Sequence, residues 1–189
     1  MTDVKLSWQG SSKLVDVAKA RLWAPWFVAE YRLRNMSKWI PAILAFGLGN
    51  PVLYLFSVGV GIGSLISGPV DGVSYLTFLA PALLASAAIQ AAMDEVSFPT
   101  IEGFVWDKTF FAINSTGITG PQLVNGMMTV AMIRAVGTVL IYEAILLMFG
   151  AITFDAVLPL LLSSSFAALA FAAVMFAVTV KIKDDDGFF

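Results

Sequence analysis

Apolar positions along this chain gather into four long runs divided by short polar punctuation, at residues 39–66, 73–93, 122–152 and 156–180. A helix needs about 20 apolar residues to cross a hydrocarbon core of about 30 Å. Each run therefore predicts a transmembrane helix. The first and third are longer than a perpendicular crossing requires, which predicts tilt, extension beyond the bilayer, or a break at Asn50-Pro51.

The segment between the second and third runs, EGFVWDKTFFAINSTG (102–117), suits neither water nor lipid. Glu102, Asp107 and Lys108 disfavour the bilayer core; Phe104, Val105, Trp106, Phe110 and Phe111 disfavour a solvated loop. Wound at 100° per residue, Ile101, Phe104, Val105, Phe111 and Ala112 fall on one side, and Trp106, Phe110 and Ile113 on the other. The pattern predicts a helix over about 101–114, closed by the turn signals Asn114-Ser115-Thr116-Gly117 and Gly120-Pro121. A helix apolar on two faces needs two surfaces to bury against. One is the protein's own membrane ends; the other is an interaction partner, the alternative being a re-entrant or interfacial helix with no partner. Trp106, Phe110 and Ile113 are the face expected to point outward.

Residues 1–38 precede the first run and are also patterned. Leu14, Val17, Ala18 and Leu22 recur at helical spacing, with Lys13, Asp16 and Lys19 elsewhere on the wheel. Ser11 or Ser12 can cap this helix, and Pro25 marks a break or a new start. Trp23, Trp26 and Phe27, beside Arg21, suit the headgroup zone of a membrane carrying anionic lipid. The residues themselves favour a helix on the membrane surface over one that also meets a partner.

Composition narrows the class. The chain is 59% hydrophobic and 13% charged, against about 25% charged for a soluble domain, and its mean hydropathy is +0.86. An all-α, polytopic membrane protein follows. There is no cysteine and no histidine, which excludes disulfides, thiolate metal sites and the usual general base near neutral pH. A net charge of -2 points to no nucleic-acid partner. The first residues are polar and do not read as a cleaved signal peptide.

Charge also orients the chain. Lys5, Lys13, Lys19, Arg21, Arg32, Arg34 and Lys38 precede the first run, Lys108 lies between the second and third, and Lys181 and Lys183 follow the fourth. The connections SGPVDG and TFD carry only Asp71 and Asp155. The positive-inside rule then puts the N-terminus, the segment 102–117 and the tail 181–189 in the cytoplasm.

Little in the chain carries chemistry of its own. No P-loop is present. Gly59 and Gly63 form a GxxxG suited to close helix packing. Asp94-Glu95 reads as the acidic interfacial end of the second run, since neighbours on a helix point about 100° apart. Asp184-Asp185-Asp186 reads as a solvated turn, and no metal site or catalytic residue is expected. The sequon Asn114-Ser115-Thr116 is discounted on the cytoplasmic side. Arg134 and Glu143 are the ionisable residues inside a run. They lie about 13.5 Å apart along one helix, too far to pair. Arg134 is placed near the boundary, where it can snorkel. Glu143 sits deeper, with a role in a pathway or in pairing with another helix.

Three stretches together resemble a known family. They are NPVLYLFSVGVGIGSLI (50–66), SYLTFLAPALLASAAIQAAMDE (74–95), and VWDKTFFAINSTGITGPQLVNG (105–126) followed by Arg134-Ala135. They are similar to the membrane subunits of ABC-2 type transporters, in the branch that includes nodulation-factor exporters. The resemblance covers most of residues 13–189 and implies an exporter permease of the bacterial plasma membrane. Two permeases, identical or related, would pair above two ATP-binding cassette ATPase subunits. ATP and magnesium would bind in those partners, with no cofactor in this chain. The helix around Phe104, Trp106, Asp107, Lys108, Phe110, Phe111 and Ile113 would be the coupling helix that enters an ATPase groove. The helix carrying Leu14, Val17, Arg21, Trp23 and Trp26 would be the interface helix beside it.

The implied cargo is a lipid, glycan, lipo-oligosaccharide or drug. The family usually has six spans and four are expected here, so a chain that stops before further spans is expected, the alternative being a natural four-span protein that is not an exporter. The family's Thr-Pro or Ala-Pro pair after the coupling helix is replaced here by NSTGITGPQ. Two other functions compete: a small lipid-modifying membrane enzyme using Asp94, Glu95 and Glu143, and a non-catalytic membrane scaffold.

Overall fold

The computed structural model describes residues 17–47, 49–62, 65, 68–70 and 72–182. They are mostly helical, with no strand among the described residues and one isolated antiparallel bridge between Val70 and Val73. In chain order the elements are α1 (Val17–Ser37), α2 (Ile40–Gly47), α3 (Gly49–Tyr54), a π-helical stretch (Leu55–Ile62), α4 (Tyr75–Ile101), a second π-helical stretch (Glu102–Trp106), α5 (Thr109–Ser115), α6 (Gly120–Met148) and α7 (Phe154–Lys181).

Three of these are long and apolar enough to cross a membrane: α4 with its π extension, Tyr75–Trp106, then Gly120–Met148 and Phe154–Lys181. The run at 39–66 is divided among α2, α3 and the first π stretch, with residues 48, 63, 64 and 66 outside the described set. Gly63 of the expected GxxxG is among those left out.

Local chemistry sets the helix starts. The Ser74 hydroxyl accepts from the Thr77 backbone N–H at 3.2 Å and opens α4. The Gln122 side chain accepts from the Thr119 N–H at 2.9 Å, with Pro121 in the first turn of α6. Gly150, at φ 64, turns the chain between α6 and α7.

The long helices pack as a bundle in which α4 lies against both α7 and α6, α6 against α7, and α1 against α6. Small residues are frequent among the buried positions of both helices: Ala80, Ala87, Ala88 and Ala91 on α4, and Ser164, Ser165, Ala168 and Ala172 on α7. Such faces let helices approach without cavities in lipid, where packing rather than water exclusion drives association. On α6 the buried side chains Leu123, Met127, Val130, Val139, Tyr142 and Leu146 keep helical spacing.

The contact of α1 with α6 explains an interior proline. Pro25 lies within α1 rather than breaking it. Having no N–H, it leaves the carbonyl four residues earlier, that of Arg21, without its helical donor. Gln122 of α6 donates its side-chain amide to that Arg21 carbonyl at 2.9 Å. Ala24, Val28 and Ala29 bury the same face of α1, while Leu22, Trp23, Trp26 and Phe27 point away from it, exposed.

One helix runs further than its pattern predicts. The second apolar run ends at Met93, yet α4 continues through Asp94-Glu95 to Ile101. The acidic pair does not end the helix, because arginines from two other helices neutralise it.

Candidate functional site

Those arginines come from α1 and α6. Glu95 is fully buried, and each of its carboxylate oxygens takes a different guanidinium. Arg32 of α1 donates from Nε to Oε1 at 2.6 Å, and Arg134 of α6 from Nη1 to Oε2 at 2.9 Å. Longer ion pairs flank this core. Arg32 Nη1 lies 3.6 Å from Glu102 Oε2, and Arg134 Nη2 lies 3.7 Å from Asp94 Oδ2. Both arginine side chains are about six-sevenths buried, at 15% and 14% exposure. A carboxylate held by two guanidiniums forms charge-assisted bonds, stronger than neutral ones and little weakened by solvent at this depth. One side chain of α4 thus ties α1, α4 and α6 together.

Below this joint the chain turns through an elbow. From Glu102 to Trp106 the helix widens to π geometry, and the Asp107 N–H bonds the Glu102 carbonyl at 2.8 Å. Lys108 then takes a left-handed conformation, φ 55 and ψ 23, the one positive φ at a non-glycine among the described residues. A single left-handed residue costs roughly 1 kcal/mol for an L side chain. It redirects the chain into α5.

The elbow is held from within by Phe110. Its ring is buried against Gly103, where a Cβ on the glycine would come within 2.6 Å of the ring atoms. Phe104 meets Phe110 edge-to-face at 4.9 Å between centroids, and Phe111 at 5.9 Å. Ile113 is partly buried against the same core.

This geometry corrects the expected outward face. Trp106, Phe110 and Ile113 do not share one: Phe110 points inward and Ile113 packs on the bundle. The exposed residues are Trp106 (50%), Asp107, Lys108 and Phe111 (61%). The wheel assumed an unbroken helix of 100° per residue over 101–114. The π turn and the left-handed Lys108 each shift the register, so residues before and after the elbow no longer fall on one wheel.

The other sequence candidates are dispersed. Leu14 and the triple aspartate at 184–186 lie outside the described residues. Val17 begins α1, Arg21 offers its carbonyl to Gln122, and Trp23 and Trp26 sit half-exposed on the side of α1 away from α6. Arg134 does not snorkel; it belongs to the buried joint. Glu143 is buried at 2% exposure, and neither carboxylate oxygen has a hydrogen-bond partner among the described residues. It lies five residues before the end of α6, about 7.5 Å along the axis, towards the end opposite the elbow. Among the described residues no three acidic side chains are grouped to hold a metal ion.

Sequence reasoning named Glu95 only as an acidic interfacial end and as a candidate of the competing enzyme reading, and did not name Arg32 as part of a site. A signal existed for both. Arg134 in an apolar run demands an acidic partner, and Glu95 is the acid at the end of the neighbouring run. Arg32 follows Val28 by one helical turn, on the face of α1 that meets α6.

Known proteins share this sequence pattern. The chain is 39% identical over 105 residues to Nodulation protein J of Rhizobium leguminosarum bv. viciae, covering 54% of this chain and 40% of that one. It is 36% identical over 112 residues to Nodulation protein J of Rhizobium meliloti, covering 58% and 42%. With Nodulation protein J of Sinorhizobium fredii it is 31% identical over 170 residues, covering 87% of this chain and 63% of that one. The chain thus spans between two fifths and just under two thirds of the length of these relatives. No protein-family model and no solved structure matches it. Together, the similarities and the three long apolar helices make the chain a multi-pass membrane protein related in sequence to Nodulation protein J.

Proposed function

We propose that this chain is the membrane-spanning permease of an ABC-2 type exporter in the bacterial plasma membrane. It pairs with a second permease and takes its driving energy from separate ATP-binding cassette subunits, which bind ATP and magnesium. The N-terminus and the elbow face the cytoplasm, following the distribution of basic residues. The cargo is a lipid, glycan, lipo-oligosaccharide or drug-like molecule.

The observation that carries this reading is the elbow. Trp106 and Phe111 are large, exposed and apolar, and they flank the charged pair Asp107-Lys108 on a backbone fixed by the buried Phe110. Aromatic anchors beside charges, on a rigid support, suit insertion into a groove of another protein. The buried joint at Glu95 lies directly above and gives a docked partner mechanical purchase on three helices. A ligand or partner shifts a conformational equilibrium only through contacts that differ between the two states; closure of the ATPase pair on ATP would supply that difference at the elbow.

The test is co-purification with a candidate ATP-binding cassette subunit from the same organism. Replacing Trp106 and Phe111 together by Ala lowers ATPase recovery, or leaves the complex assembled with ATP hydrolysis uncoupled from transport. Wild-type recovery together with wild-type transport would sink the assignment.

A further inference from the structure

The charged joint is asymmetric. Arg32 makes a short bond to Glu95 at 2.6 Å and stands 3.6 Å from a second carboxylate, Glu102. Glu95 is fully buried, whereas the Glu102 side chain is 40% exposed. Glu102 opens the π stretch, and its carbonyl accepts the N–H of Asp107, the residue before the left-handed Lys108. Any movement of the elbow therefore moves Glu102 relative to Arg32. A cavity of about 10 Å³ beside Arg32, bordered by Tyr31, Asn35, Glu102, Asp107 and Thr109, is roughly the size of one water. It leaves space for about one water beside the guanidinium.

We propose that Glu95 is a positioning residue and that Arg32 exchanges between Glu95 and Glu102 as the elbow moves. In the state described here Arg32 belongs to Glu95, so α1, α4 and α6 are tied as one body. When the elbow is pressed towards the bundle, Glu102 approaches Arg32 and takes over its charge. Arg134 remains on Glu95 and keeps that carboxylate compensated. The exchange moves the tie of α1 from the middle of the Tyr75–Trp106 rod to its π-helical end without leaving a buried charge alone, which would otherwise oppose the movement. π turns are common at functional sites because the extra residue lets a helix re-register locally, and this one lies next to the acceptor. The inference rests on the elbow being the ATPase-docking element.

The test uses the full-length permease assembled with its ATPase in lipid nanodiscs. These 189 residues contain no cysteine, so a reporter pair can be introduced as Asn35→Cys and Thr109→Cys, on the two walls of the cavity. Cross-linking with a short bifunctional thiol reagent is measured without nucleotide and with ATP and vanadate. In the parent protein the yield should change severalfold between the two conditions. Glu95→Gln removes the first acceptor charge and should give the ATP-state yield without nucleotide. Glu102→Gln removes the second and should hold the nucleotide-free yield even with ATP. A purely structural role would not drive two isosteric substitutions in opposite directions. A yield insensitive to nucleotide in a complex that hydrolyses ATP overturns the exchange, as do both variants shifting the same way. If Glu95→Gln does not assemble, the half-exposed Glu102→Gln still decides: a nucleotide response like the parent's overturns the proposal. Failure of the ATPase to bind the parent chain would instead defeat the function proposed above.

Discussion

Gly126 of α6 lies directly against Val28 of α1. A Cβ built on the glycine would stand 2.6 Å from the Val28 Cβ and 2.7 Å from the Pro25 carbonyl oxygen. No flexible side-chain tip lies in the way to yield, so backbone would have to shift. Gly126→Ala should therefore destabilise the protein by about 1–3 kcal/mol, the usual range for overpacking, although alanine is the better helix former. Thermal unfolding in detergent, followed by tryptophan fluorescence, reads this as a lower midpoint. An unchanged midpoint would mean that α1 is not seated on α6.

The two partners of the buried joint should respond unequally. Glu95→Met leaves two guanidiniums buried without their carboxylate and should cost about 3–5 kcal/mol. Arg134→Met leaves Glu95 still bonded to Arg32 and should cost less. The double replacement should cost less than the sum of the two single changes. Unfolding midpoints of the three variants measure this, and strict additivity would show that the residues do not interact.

Three aromatics close together on the elbow should divide by role. Phe110→Ala empties a buried site and should cost about 3–5 kcal/mol. Trp106→Ala and Phe111→Ala remove exposed rings and should change stability far less, while weakening recovery of a bound ATPase. A stability ranking with Trp106 above Phe110 would contradict the geometry.

Lys108 should prefer flexibility to branching. Lys108→Gly relieves the left-handed backbone and should leave the fold intact. Lys108→Val puts a β-branched residue at φ 55 and should cost about 1–2 kcal/mol. Equal stability of the two would mean that the elbow does not hold a left-handed residue in solution.

Much of the fold was legible because transmembrane segments advertise themselves. The apolar runs at 73–93, 122–152 and 156–180 each overlap a long helix, and Arg134 stood out as a charge inside a run, although it was expected to snorkel rather than to pair. The joint was not legible, because its members lie far apart in the chain: Glu95 is 63 residues from Arg32 and 39 from Arg134. Read locally, Asp94-Glu95 is a polar stop; only the neighbouring helices turn it into an interior. The elbow failed for a different reason. Its wheel assumed a constant angle per residue, and nothing in EGFVWDK announces a π turn or a left-handed lysine. Phe110 was assigned outward, although the glycine that makes room for its ring, Gly103, lies seven residues earlier.

The length of α4 also sets a mechanical ratio. The rod from Tyr75 to Trp106 is 32 residues long and is gripped sideways at Glu95. About 30 Å of it lies on the Tyr75 side of that grip and about 16 Å on the Trp106 side. Were the rod to pivot rigidly about Glu95, its far end would travel roughly twice as far as the elbow.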